Sequence, residues 1–193
     1  MLDTLGNIDI YLLDQIMKNR YAFNQTILDA GCGTGRNINW FYINGFNIHA
    51  IDNNPERIAY IKELYPNQKD NFKVASLANL PYSDNSIDHI INCAVLHFVE
   101  NIEQFKLYVS ELVRVLKPNG SLFIRMTSDI GVENFVTPLQ NGVYALPDGS
   151  TRFLLTRKLL NDIIKEFSLT LLEPLKSTNV SDLRTMSTIV LCK

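Results

Sequence analysis

Residues 27–37 read "ILDAGCGTGRN": an apolar run interrupted by an acid, then three glycines in five positions. Gly31, Gly33 and Gly35 can each take backbone angles closed to other residues, so the chain turns sharply here. A turn of this kind between a strand and a helix brings backbone N–H groups close to a polar ligand. An isolated Gly-x-Gly is equally compatible with a tight turn and nothing more. Two acids shift that balance. Asp29 stands just before the glycines, and Asp52 ends the next apolar run, twenty-one residues after Gly31. In dinucleotide folds an acid roughly 20 residues on accepts the hydroxyls of a ribose.

Outward from this turn, helical and extended patterns alternate. "TILDA" is a short buried strand, "RNINWFYING" a helix stopped by Gly45, and "FNIHAID" a second strand ending on Asp52. "NPERIAYIKELYP" is a helix between Pro55 and Pro66, and "NFKVAS" and "SIDHIIN" are strands apolar on both faces. "IEQFKLYVSELVRVLKPNG" places Phe105, Val109, Leu112, Val113 and Leu116 on one helical stripe, ended by Pro118-Asn119-Gly120, and "SLFIRM" follows as a strand. Strands alternating with helices predict a parallel sheet. Before the glycine turn, residues 1–24 form a helical segment, with Asn7 or Asp9 as its cap. After residue 126 the rhythm changes. Residues 130–155 read as a loop plus a hairpin around Pro147-Asp148-Gly149, "TRKLLNDIIKEF" as a helix capped by Thr156, and "LTLLEPL" and "STIVLC" as closing strands. The expectation is one α/β domain over 1–193 with an inserted cap at 130–155.

Composition narrows the partners. The chain has 193 residues, 46% of them hydrophobic, and a net charge of -2 with no run of like charge, so it offers no footprint for duplex nucleic acid or an anionic membrane. No apolar run approaches the ~20 residues that span a bilayer. Cys32, Cys93 and Cys192 are odd in number and scattered, and no leader pattern opens the sequence, which fits a reducing, cytoplasmic setting.

Known glycine motifs decide what the turn holds. The dinucleotide pattern needs glycine at position 36, where this chain has Arg36, and no Gly-Lys-Ser/Thr closes a P-loop. Gly-x-Gly-x-Gly behind an acid favours an adenosine cofactor without a pyrophosphate. S-adenosylmethionine (SAM) fits, with Asp52 on the ribose, glycine backbone beside the methionine portion and Asp29 near its ammonium group. Four ordered stretches, "ILDAGCGTGRN", "IHAIDNNPE", "LANLPYSDNSIDHIINCAVLHF" and "ELVRVLKPNGSLFI", cover about half the chain. In them the sequence resembles the class I SAM-dependent methyltransferases. More loosely, its length and inserted segment are similar to the small bacterial tellurite- and thiopurine-methylating types.

The resemblance implies a Rossmann-type sandwich with a mostly parallel seven-stranded sheet and one antiparallel strand. It implies that Asp29, Gly31, Gly33 and Gly35 line the methionine part of SAM, with Cys32 and Arg36 in the same turn. Asp52 and Asn53 would hold the ribose, Ser76 and Leu77 the adenine, and Cys93 and Ala94 would face the sulfonium. Many members carry an acid at the position of Ser76 to accept the adenine amine, so serine is a departure. Asn119 replaces a usual glycine, and asparagine tolerates the left-handed turn.

Other side chains invite chemistry. His89, Cys93 and His97 are spaced four apart, which on a helix would fit a metal; on a strand each step stretches to roughly 13 Å, so no metal is expected. Cys32 is read as a small residue rather than a nucleophile. His97 follows the fourth strand at the sheet's carboxyl edge, where ligands of open α/β sheets bind; a packing histidine is the leading reading, and a base its alternative. Tyr11, Arg125 and Arg152 are candidate contacts for an acceptor, the two arginines for an anionic one. Methyl transfer from a sulfonium needs alignment and water exclusion more than a dedicated base. The expected function is methylation of a small molecule. The rivals are a protein or RNA methyltransferase, and a SAM-binding regulator without turnover.

Overall fold

Strand β1 (Thr26–Ala30) is the middle of the sheet, and its last four residues are buried. It pairs in parallel with β2 (Asn47–Asp52) on one side and β4 (Ile87–Cys93) on the other. β3 (Phe72–Val74) continues beyond β2 and β5 (Leu116–Ser128) beyond β4, also parallel. β11 (Arg184–Cys192) then pairs antiparallel with β5, and β10 (Lys176–Val180) antiparallel with β11, closing a path ordered 3-2-1-4-5-11-10. A two-residue β9 (Thr170–Leu171) joins the end of β11. The computed structural model describes residues 5–193; the first four residues of the expected N-terminal helical segment lie outside the described residues.

Alternation along each strand builds two cores, one per face. Ile27, Ile91, Phe123 and Val190 face Leu12 of α1 (Ile10–Met17), Phe41 of α2 (Ile38–Ile43) and Ile58 and Ile61 of α3 (Pro55–Leu64). Leu28, Ile90, Leu122 and Ile124 face Phe105, Val109 and Leu112 of α4 (Ile102–Val115) and Leu160 and Ile163 of α5 (Arg157–Glu166). Side-chain caps start the helices: Asp9 accepts from Tyr11 N–H and Thr156 from Leu159, as expected, and Asn54 from Glu56 and Arg57 and Asn101 from Gln104 besides. Connections run outward in opposite directions from β1 and β4. That reversal opens a crevice at the carboxyl edge between them.

Three expectations need correction. β3 is a three-residue edge strand with Val74 54% exposed, rather than a strand apolar on both faces. "LTLLEPL" supplies only β9; the long partner of β11 is "KSTNV", polar because it is the sheet's last strand and largely exposed. α4 stops at Val115, three residues before Pro118, and Asn119 makes the turn at φ +64° while its N–H reaches Lys193 O at 2.9 Å. Between β5 and α5, β7 (Val143–Ala145) and β8 (Thr151–Phe153) form the hairpin, and β6 (Thr137–Pro138) adds a third strand. Phe153 stacks on Phe105 of α4 at 5.1 Å between ring centroids, fixing this small sheet to the main body. Among the described residues no helix is long and apolar enough to cross a membrane.

Candidate functional site

A cavity of about 800 Å³ fills the crevice, within the size range of small-molecule sites. Its wall holds ten of the residues singled out from sequence: Gly31, Cys32, Gly33, Arg36, Asp52, Asn53, Ser76, Leu77, Cys93 and Ala94. They come from four consecutive strand ends, which is why they lie far apart in the chain and together in space. Gly31 N and Cys32 N both donate to Ile51 O, at 2.8 and 2.9 Å, bending the turn around the end of β2. Gly31 has φ +87°, and a Cβ there would lie 2.5 Å from Val95 Cγ2. Gly33 has φ +55° with nothing within 4 Å of a Cβ, leaving free space beside its Cα. Gly35 does not line the cavity: it packs against Ile61 and Tyr65 of the α3 layer, so its role is helix packing rather than ligand contact.

Asp52 holds the turn. Its Oδ2 accepts from Gly33 N at 2.9 Å and its Oδ1 from Asn54 N at 2.9 Å, with Arg57 Nη1 3.7 Å away. Both oxygens retain lone pairs for a ligand hydroxyl. Asp29 sits behind the turn rather than on the wall, only 1% exposed, and its Oδ2 has no partner. Burial pushes its carboxyl up to about 7; Arg36 opposes that shift and Asp52 adds to it. An unsatisfied buried acid is costly unless a cationic or donor group meets it, and the ammonium of an amino-acid moiety is such a group. Free space at Gly33, a held carboxylate and an orphaned acid thus suit SAM.

Arg36 donates from Nη2 to Cys93 Sγ at 3.1 Å and stands 3.7 Å from Asp9 Oδ2. Burial pushes the Cys93 thiol up to about 12 and raises Cys32 as well, so both are neutral thiols without nucleophilic character. Ala94 lies in the left-handed region at φ +62°, its N–H bonded to Arg125 O at 2.7 Å, a local strain where the chain leaves β4.

The other candidates do not reach the cavity wall. Tyr11 hydroxyl pairs with Thr178 Oγ1, and Arg125 lies over the Tyr11 ring at 4.8 Å with its Nε 3.1 Å from Asp9 Oδ2. Arg152 covers the Phe98 ring at 5.0 Å and donates to Thr151 O. His97 is buried, and its Nδ1 accepts from Thr127 N at 3.3 Å, fixing the Nε2–H tautomer. Burial lowers its pKa to about 4, with Arg152 and Arg184 adding to the effect. His89 is spent on Ser121 and Gln25, and among the described residues no three His, Cys, Asp or Glu side chains are grouped to hold a metal ion. Sequence reading missed Arg57, Val95, Phe98, Gln104 and Tyr108 on the wall. Gln104 and Tyr108 leave one trace, a polar i, i+4 pair beside the apolar stripe of α4.

Residues 28–124 match the family model described as a methyltransferase domain, and the chain belongs to that family, the class I SAM-dependent methyltransferases. A probable SAM-dependent methyltransferase of Mycobacterium tuberculosis is 28% identical over 146 residues, covering 70% of this chain and 52% of the relative. A tRNA (carboxymethyluridine(34)-5-O)-methyltransferase of Arabidopsis thaliana is 35% identical over 102 residues, 51% of this chain and 23% of the relative. The chain spans 38% to 52% of the first curated relatives it matches. Among solved structures, a SAM-dependent methyltransferase of Methanosarcina mazei superposes with a TM-score of 0.75 at 20% identity, over 92% of this chain and 96% of that one. A 1,6-didemethyltoxoflavin-N1-methyltransferase of Burkholderia thailandensis, crystallised with 1,6-didemethyltoxoflavin and S-adenosylhomocysteine, gives 0.70 at 18% identity, over 92% and 75%.

Proposed function

We propose that this chain transfers the methyl group of SAM to a small-molecule acceptor. The carrying observation is the orphaned, buried Asp29 behind a glycine turn whose far side is held by Asp52. SAM, when bound, supplies a methyl group on a sulfonium that already makes a good leaving group. The chain's own residues then bind and align. Asp52 accepts the ribose hydroxyls, the backbone at Gly31 and Gly33 flanks the methionine portion, and Asp29 and Arg36 offer opposite charges for its ammonium and carboxylate. Ala94 and Val95 form the wall beside the reacting carbon. Positioning of this kind accounts for roughly 7–11 kcal/mol of a barrier, so no proton acceptor is required for an acceptor that is already nucleophilic.

Residues 130–155 cap the acceptor side on this reading. β8 lays Arg152 on Phe98, and Phe98 lines the cavity. His97, committed to Thr127 and held neutral, supports that turn instead of taking a proton. A net charge of -2 without a basic run favours a small acceptor over RNA, and three free cysteines suit a cytoplasmic setting.

Calorimetric titration with SAM and S-adenosylhomocysteine, followed by a methyl-transfer screen over small acceptors, unmodified tRNA and peptides, tests the proposal. Asp52→Asn keeps the side chain's size but removes the charge and turns one of the two acceptors for Gly33 and Asn54 N–H into a donor, and should weaken binding more than tenfold, with the melting temperature as the check on the turn. Binding without turnover on any acceptor supports a regulator, and turnover on tRNA alone overturns the small-molecule reading.

A further inference from the structure

We infer that Gln104 and Tyr108 of α4 read the adenine base, presenting one acceptor and one donor whose directions are fixed by a chain of hydrogen bonds. The inference rests on the reading that SAM occupies this cavity with its base beside Ser76 and Leu77.

The directions follow from one backbone group. Glu100 N–H can only donate, so the Gln104 atom 2.7 Å from it is Oε1, the acceptor. That assignment leaves Nε2 to face Tyr108, where it donates to the hydroxyl oxygen at 3.0 Å. With its oxygen accepting, the Tyr108 hydroxyl turns its proton away from Gln104, and no hydrogen bond among the described residues uses that proton. Gln104 Oε1 keeps a second lone pair. Both side chains line the cavity and both are half-buried. The wall therefore offers an acceptor and a donor side by side. Adenine's 6-amino group donates, and the ring nitrogens flanking that edge accept, which is the complementary pattern. Hypoxanthine, with a 6-oxo group and N1–H, reverses it.

Packing places this pair at the proposed adenine end. Gln104, Tyr108 and Glu111 are spaced i, i+4 and i+7, one face of α4. Glu111 Oε2 accepts from Leu80 N at 2.8 Å, while Arg114 donates to Leu80 O at 3.0 Å and Tyr82 O at 2.9 Å. That face is thereby fastened to the segment that begins at Ser76. Ser76 itself is exposed, neutral, and its hydroxyl already accepts from Ala78 N at 3.1 Å. The uncharged pair on α4, rather than Ser76, meets the 6-amino group of the base.

Titration calorimetry with S-adenosylhomocysteine and its deaminated analogue S-inosylhomocysteine tests this without any turnover. The wild-type chain should prefer the adenosine form by about tenfold or more, because the inosine form leaves both polar groups opposed or unpaired. Tyr108→Phe removes the donor. Gln104→Glu still accepts from Glu100 N–H, but its second oxygen now captures the Tyr108 proton, so a near-isosteric change diverts the same donor. Each should weaken S-adenosylhomocysteine about three- to tenfold and bring the preference between the two ligands to about twofold or less, with the melting temperature as the check on folding. Equal wild-type affinity for the two ligands overturns the inference with no variant needed. Variants that keep wild-type affinity and preference overturn it as well. Asp52→Asn separates the two levels: if it weakens binding while Tyr108→Phe does not, SAM occupies the cavity and the base is read by other groups. If neither weakens binding, the placement of SAM fails and the inference with it.

Discussion

Replacing Asp29 by asparagine should stabilise the ligand-free chain at alkaline pH while damaging its ability to bind SAM. The carboxyl ordinarily titrates at 3.8 and is pushed up to about 7 by burial in the fold. Between these values the folded state holds a proton that the unfolded chain has released. Stability from this group is therefore greatest below 3.8 and declines as pH rises, levelling off above 7. At about 1.36 kcal/mol per pH unit the whole loss is on the order of 4 kcal/mol, of which about 2–3 kcal/mol falls between pH 5 and 8. Asparagine carries no charge and escapes it. Urea unfolding of wild type and Asp29→Asn at pH 5 and pH 8, without ligand, gives the difference between the two proteins, in which other titrating groups cancel. That difference should grow in favour of the variant by about 2–3 kcal/mol at the higher pH. Calorimetry should show the same variant binding S-adenosylhomocysteine more weakly at pH 8, since the partner proposed for its ammonium has gone. A stability difference that is flat from pH 5 to 8 refutes the reasoning, because Asp29 would then carry no burial penalty.

Gly31→Ala should cost about 1–2 kcal/mol from the left-handed backbone alone, plus the displacement of Val95 from its 2.5 Å approach, and thermal unfolding should record the loss together with weaker ligand binding. His97, lowered to about 4 from 6.5, contributes stability that is present above pH 6.5 and lost as pH falls through 4. His97→Gln should therefore narrow the acid-induced destabilisation by about 3 kcal/mol between pH 7 and 4, read by urea unfolding. Once an acceptor is found, wild type and His97→Gln should give rate profiles of the same shape from pH 6 to 8, since the imidazole is already neutral there; an inflection present only in wild type returns His97 to a proton-transfer role. Arg125→Leu should leave S-adenosylhomocysteine affinity within about threefold while lowering the melting temperature, because its partners are Asp9 and the Tyr11 ring and not the cavity.

What the sequence made legible was local. The glycine turn, Asp52 and the caps of α1 and α5 depend on residues within a few positions of one another, and the structure has them where the pattern points. "KSTNV" escaped because an edge strand facing solvent has no apolar alternation to betray it. Tyr11 and Arg125 looked like ligand contacts because the groups their side chains meet, Thr178 and Asp9, lie more than one hundred residues away in the chain. Gln104 and Tyr108 were hidden for the opposite reason: polar residues on an amphipathic helix read as solvated, and only the approach of the segment after β3 turns them inward.

Anyone reshaping this cavity for a new acceptor meets an uneven freedom. Val95 cannot grow toward Gly31, where even one methyl group would collide with it, and Ala94 at φ +62° excludes β-branched replacements. Bulk added at these two positions strains the turn at Ala94 or the close approach of Val95 to Gly31, so few larger side chains are accommodated there. Phe98 is 64% exposed and touches the cavity from the 3₁₀ turn after β4, with Arg152 over its ring. Diversity placed there alters the rim without disturbing the floor, and laboratory evolution of acceptor preference has one productive direction in which to begin.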